Sequence, residues 1–153
     1  MRIAIGSDHA GYILKGEITQ FLSKNATEFE DFGIYTPDPA DYPDIAVKVA
    51  EAVARGEFDG GILICGTGMG MSIVANKVPG IRATLCTDSF GARSARQHNN
   101  SNILVLGERV TGVGSALDVV QTWLSTDFSN AERHVERVRK ISEVDKKYNG
   151  GRC

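Results

Sequence analysis

The strongest constraint on this chain is an alternation that runs its whole length. Short β-rich runs, each ending in glycine or a polar residue, give way to longer segments with apolar residues at helical spacing. Arg2–Ser7 (RIAIGS) reads as a buried strand. A helix from about His9 to Lys24 follows, with Ile13, Leu14, Ile18, Phe21 and Leu22 on one side. EFEDFG is a weaker second strand, and the Pro/Asp-rich loop YTPDPADYPD leads through Pro43 into a helix over Asp44–Arg55 that stops at Gly56. GGILIC, IRATLC and NILVLG supply three more strands, followed in turn by helices over Gly68–Asn76, Asp88–His98 and Gly112–Leu124. A charged helix over Asn130–Lys146 comes last, with Ser129 and Glu132 spaced as a capping box.

Strands about 20 to 30 residues apart with helices between them require βαβ crossovers. The expected fold is therefore doubly wound α/β, with about five parallel strands and helices on both faces. At 153 residues, with no repeat or low-complexity tract, the chain reads as a single domain, 1–153. A net charge of −2 and a pI near 5.9 give no support for nucleic-acid binding. No apolar run is long enough for a membrane span, and MRIAIGSDHAG enters a strand too early for a secretory leader, so a cytoplasmic protein is expected. Cys65, Cys86 and Cys153 lack CxxC spacing, and His9, His98 and His134 lack an HxxxH pattern. Neither a disulfide scaffold nor a metal site is expected.

In an open parallel sheet, ligands bind beyond the carboxyl ends of the strands near the switch in strand order. Residues Ser7–His9, Cys65–Gly70, Cys86–Asp88 and Gly107–Arg109 fall there. The loop CGTGMG fails both nucleotide patterns: Met71 stands where GxGxxG needs glycine, and no GK[ST] follows. Two readings stay open: backbone N–H groups at a helix start serving an anion or oxyanion, or a tight turn that needs glycine for its shape. Cys65 is either a thiolate favoured by that helix end or a buried structural cysteine, for which Cys86 is the internal control. Asp8 is a natural N-cap, whereas His9 in the first helical turn has no capping use. His98-Asn99-Asn100 suits a helix carboxyl end as well as a ligand site. Arg133, Arg137 and Lys140 lie within about a 60° arc, offset from Val135, Val138 and Ile141. Such a stripe is either a solvated face or a phosphate clamp.

Taken together, SDHAG, DYPD, GILICGTGMGMSIVANKVPGIRA, RQHNNSN with LGERV after it, and RHVERV closely resemble the type B ribose-5-phosphate isomerases of the RpiB/LacAB family. The match runs in order over about residues 1–140. The resemblance implies a Rossmann-like three-layer αβα sandwich and an aldose–ketose isomerase of sugar phosphates that needs no metal or organic cofactor. It also implies a homodimer, sometimes paired into tetramers, with each active site at the interface and the helix near 130–146 packing on the neighbouring subunit. Carried onto this chain, Cys65 is the base moving a proton between C1 and C2, Thr67 assists transfer between the oxygens, and His98 opens the sugar ring. Gly66, Gly68, Met69 and Gly70 form the loop that holds the enediolate. Asp8, His9, Tyr42, Asn99 and Arg109 match substrate-contacting positions, and His9, Arg133 and Arg137 match phosphate ligands. A glutamate occupies the position of Met71 in a family branch that lacks the cysteine, which places this chain in the thiol branch. Ribose 5-phosphate is the leading substrate. The alternatives are galactose 6-phosphate, allose 6-phosphate, a tetrulose phosphate, or a non-catalytic sugar-phosphate-binding subunit.

Overall fold

The computed structural model describes residues 1–149. The terminal thiol expected at Cys153 lies outside them. Five strands make one parallel sheet: β1 (Arg2–Ser7), β2 (Glu28–Asp31), β3 (Gly60–Cys65), β4 (Ala83–Leu85) and β5 (Ile103–Gly107), in the order β2-β1-β3-β5-β4. Between and after them run α1 (Tyr12–Lys24), α2 (Tyr42–Ala54), α3 (Met69–Ala75), α4 (Ser89–Asn99), α5 (Val113–Leu124) and α6 (Glu132–Asn149).

Alternate strand residues serve opposite cores, as a sheet covered on both faces demands. Ile3, Ile5, Ile62, Ile64, Leu104 and Leu106 pack with α1, α4 and α5. Ala4, Leu63, Cys65, Ile103 and Val105 pack with α2 and α3. Chain direction reverses its progress across the sheet between β1 and β3. The exits of those two strands, Asp8–His9 and Cys65–Gly70, thus flank the switch point.

Local expectations hold with several corrections. The first helix begins as a short 3-10 turn over His9–Gly11, and IRATLC keeps only Ala83–Leu85 as strand. Ile13 is 68% exposed and Lys15 takes the buried place beside Leu14, Ile18 and Leu22. The reason lies in the angles: Lys15 falls within about 20° of Leu22 around the helix, whereas Ile13 lies about 100° outside Leu14. The capping box does not form. Ser129 Oγ lies 2.7 Å from His134 Nδ1 and accepts from Ala131 N–H, and the Ser129 N–H donates to Gln97 O.

Candidate active site

At the end of β1, Asp8 is 5% exposed and its Oδ1 accepts from the N–H groups of Ala10 and Gly11 at 3.0 and 3.1 Å. The N-cap reading is therefore correct, and it leaves Oδ2 free of hydrogen bonds among the described residues. His9 is exposed, and its Nδ1 accepts from Ala40 N–H at 3.2 Å. An accepting Nδ1 puts the proton of a neutral ring on Nε2, which points a donor at whatever binds there.

At the end of β3, Cys65 is 5% exposed and its sulfur accepts from Gly68 N–H at 3.1 Å. Gly68 makes this possible by adopting φ 79°, a left-handed conformation that costs glycine little. The thiol thus sits at the lip of the sheet with a backbone donor already aimed at it. Cys86 differs: it is enclosed among apolar residues, and burial pushes its thiol above the usual range. Both cysteines are buried in apolar clusters; what sets Cys65 apart is the Gly68 N–H aimed at its sulfur.

The Cys65–Gly70 loop exposes side chains of its own and meets two further segments, the start of α2 and the residues after β5. Thr67 is exposed, with its Oγ1 3.4 Å from Met69 N–H. The Met69 side chain is 60% exposed. Tyr42, the first residue of α2, covers Gly70 so closely that a Cβ there would lie 2.6 Å from its Cζ. Arg109 N–H donates to Gly66 O at 3.0 Å, and its guanidinium packs against Gly66. Glu108 ties the same loop to α1 by accepting from Leu14 N–H at 2.9 Å. The first turn of α3 leaves N–H groups without helical acceptors facing this space, a setting suited to developing negative charge.

His98 and Asn99 are elsewhere. They end α4, which starts beyond the carboxyl end of β4 and returns to the amino edge, where Asn102 O accepts from Gly61 N–H. That helix is about 16 Å long, so one chain holds His98 and Cys65 at opposite edges of its sheet. Arg133 and Arg137 share the His98 side through α6. Within that helix Glu136 pairs with Arg139 at 2.7 Å and Lys140 at 3.7 Å, and Arg139 also pairs with Glu143. Arg133 and Arg137 stand in no ion pair among the described residues, whereas Lys140 is neutralised. The basic stripe is therefore reduced to its two arginines.

His134 was not among the expected site residues, yet it is the nearest aromatic neighbour of His98. The two rings are 4.5 Å apart at 41°. His134 is buried, and its Nε2 accepts from Arg133 Nε at 3.2 Å, so Nδ1 carries the proton donated toward Ser129 Oγ. Burial first, then the proximity of His98, Arg133 and Arg137, lowers its pKa and so favours the neutral ring. The only sequence hint was its position beside Arg133, which carries no chemistry without the contact.

Known proteins resemble this arrangement along nearly its whole length. The family described as Ribose/Galactose Isomerase matches residues 3–141. A ribose-5-phosphate isomerase B structure from Clostridium thermocellum has a TM-score of 0.94 and 59% identity, covering 97% of this chain and 99% of that one. The ribose-5-phosphate isomerase B of Escherichia coli is 46% identical, covering 97% of this chain and 99% of the relative. A D-erythrulose-4-phosphate isomerase of Pectobacterium atrosepticum is 43% identical over 84% of this chain and 85% of its own length.

Proposed function

The chain belongs to the ribose/galactose isomerase family, and from that premise we propose that it interconverts ribose 5-phosphate and ribulose 5-phosphate, with Cys65 as the base. The observation that carries the assignment is the Cys65 sulfur, held by Gly68 N–H at the end of β3, in a loop that Arg109 packs against at Gly66 and Tyr42 covers at Gly70. In the open-chain aldose, the thiolate removes the C2 proton and the C=O electrons move onto O1. The resulting enediolate is held by loop N–H groups. Proton return to C1, with the hydroxyl proton passing from O2 to O1 beside Thr67, gives the ketose. Asp8 Oδ2 and Tyr42 are available to sugar hydroxyls.

Ring opening needs an acid/base, and the family resemblance assigns it to His98, with Asn99 on the substrate. The two halves at opposite edges of one chain support a complete site made between two copies, each lending His98, Asn99, Arg133 and Arg137 to the other's Cys65. His9 would meet the phosphate from one side and the two unpaired arginines from the other, with Arg109 on the sugar. Ile141 and Val144 of α6 are 42 and 58% exposed and lie about 60° apart around the helix, an apolar pair suited to packing on the second copy. Two further readings, pairing into a tetramer and a cytoplasmic place of action, rest on the family alone. Among the described residues no helix is long and apolar enough to cross a membrane. A four-carbon sugar phosphate is the alternative substrate, favoured by the erythrulose-4-phosphate relative.

The test is complementation. Cys65→Ala and His98→Asn homodimers should each be nearly inactive while binding substrate. Refolding them together should restore up to about one quarter of wild-type turnover, because half the dimers then carry one intact site of two. Near-normal turnover by Cys65→Ala would remove it as the base, and no recovery in mixed dimers would remove the shared site.

A further inference from the structure

Among the described residues, the most deeply enclosed charge belongs to no expected site residue. Lys15 is 2% exposed. Its ammonium donates to both carboxylate oxygens of Asp31 at 2.7 Å and to Ile34 O at 2.6 Å. The Tyr12 and Tyr35 rings flank it at 5.9 and 5.5 Å. All three ammonium donors have acceptors, so the charge is satisfied within the protein and is not offered to a ligand.

What the pair holds is the segment after β2. Asp31 Oδ1 also accepts from Gly33 N–H at 2.8 Å, and Asp31 O accepts from the Tyr35 hydroxyl at 2.8 Å. The Tyr12 hydroxyl donates to Tyr35 O at 3.3 Å. The fastened strip then continues β-type pairing with β1 beyond the end of β2: Phe32 N–H to Ile5 O, Ser7 N–H to Gly33 O, and Ile34 N–H to Ser7 O. Ser7 directly precedes Asp8 and His9. At its far end the same segment presents the Ala40 N–H that donates to His9 Nδ1, then Tyr42 against Gly70.

We propose that Lys15 and Asp31 are positioning residues for the substrate half-site: their ion pair, with the ammonium buried and the carboxylate partly exposed, fixes the 32–41 segment, and through Ala40 it fixes the tautomer and direction of His9. The inference rests on the reading of His9 as a phosphate ligand given above. Removing Asp31 alone strands the buried ammonium and is strongly destabilising. The informative variant therefore removes both charges and keeps the shapes, Lys15→Met with Asp31→Asn. Tyr35→Phe is a milder companion that leaves the ion pair intact and cuts one tie.

Two readouts decide the matter on full-length protein. In nitrogen-15 NMR of the free enzyme, His9 should change from one neutral tautomer with an unprotonated Nδ1 to a mixture. In kinetics, KM for ribose 5-phosphate should rise about tenfold with kcat changed less than about twofold, because binding geometry is lost while the Cys65 chemistry is kept. Tyr35→Phe should move both readouts in the same direction by less, and it settles the question if the double variant does not fold. A folded variant with an unchanged His9 signature overturns the proposal, whatever happens to KM. A changed signature with an unchanged KM keeps the positioning claim and fails the reading of His9 as a phosphate ligand.

Discussion

Gly70→Ala is the change that best separates site geometry from fold stability. A Cβ built on Gly70 lies 2.6 Å from Tyr42 Cζ, 2.7 Å from its Cε2 and 3.1 Å from its hydroxyl. Ordinary carbon contacts need about 3.5 to 4.0 Å, so the ring must retreat by about 1 Å. It can do so at little cost to the core, because Tyr42 is 39% exposed and sits in the first turn of α2. Gly70 lies inside α3, where alanine is favoured over glycine by up to about 1 kcal/mol, so thermal stability should stay level or rise slightly. Activity should not stay level. A displacement of about 1 Å in a substrate-positioning group can cost on the order of a hundredfold, so kcat/KM should fall ten- to a hundredfold. The assay is steady-state isomerisation of ribose 5-phosphate, beside thermal denaturation of the same preparation. Tyr42→Ala supplies the control. On that background the ring is gone, and adding Gly70→Ala should cost no more than about twofold, the usual error of additivity. Wild-type kcat/KM in Gly70→Ala would refute the reasoning. So would independent, multiplicative losses in the double variant.

Other positions report on separate parts of the structure. Gly68→Ala should lower stability by about 2 to 4 kcal/mol in urea unfolding, since it combines left-handed strain with a Cβ that falls on Leu85 Cδ1 and 3.1 Å from the Leu106 backbone. Arg137→Ala should raise KM for the phosphorylated sugar by about ten- to a hundredfold with kcat little changed, the scale of a lost charge-assisted contact; an unchanged KM removes it from the phosphate site. His134 gives a pH signature. Its pKa is lowered in the folded state, so its contribution to stability is complete above the unfolded value of about 6.5 and is lost as pH falls below it, when the unfolded ring takes a proton that the folded ring refuses. Wild-type urea midpoints should drop between pH 7 and 5 more steeply than those of His134→Asn, and parallel profiles would contradict the assignment.

The division between what the chain announces and what folding decides is visible residue by residue. Strand and helix identities, the N-cap at Asp8, the glycine turn at Gly68 and the reactive exits of β1 and β3 were legible because each rests on local physics: side-chain period, capping chemistry and permitted backbone angles. Lys15 shows where that reading slips, for a lysine inside an apolar arc counts as surface until an aspartate sixteen residues away is known to meet it. The strand order β2-β1-β3-β5-β4 depends on pairings between strands distant in sequence; the polar EFED suits β2 to an edge, but no local signal ranks the apolar strands β1, β3 and β5. His134 became part of the site only when α6 laid its ring against His98. The sequence by itself determined the elements and the placement of Cys65 and its glycine loop at the end of β3. Only the tertiary structure decided that His98 and Cys65 occupy opposite edges of one sheet, because the direction and length of α4 carry its last turn away from the carboxyl ends where α4 began.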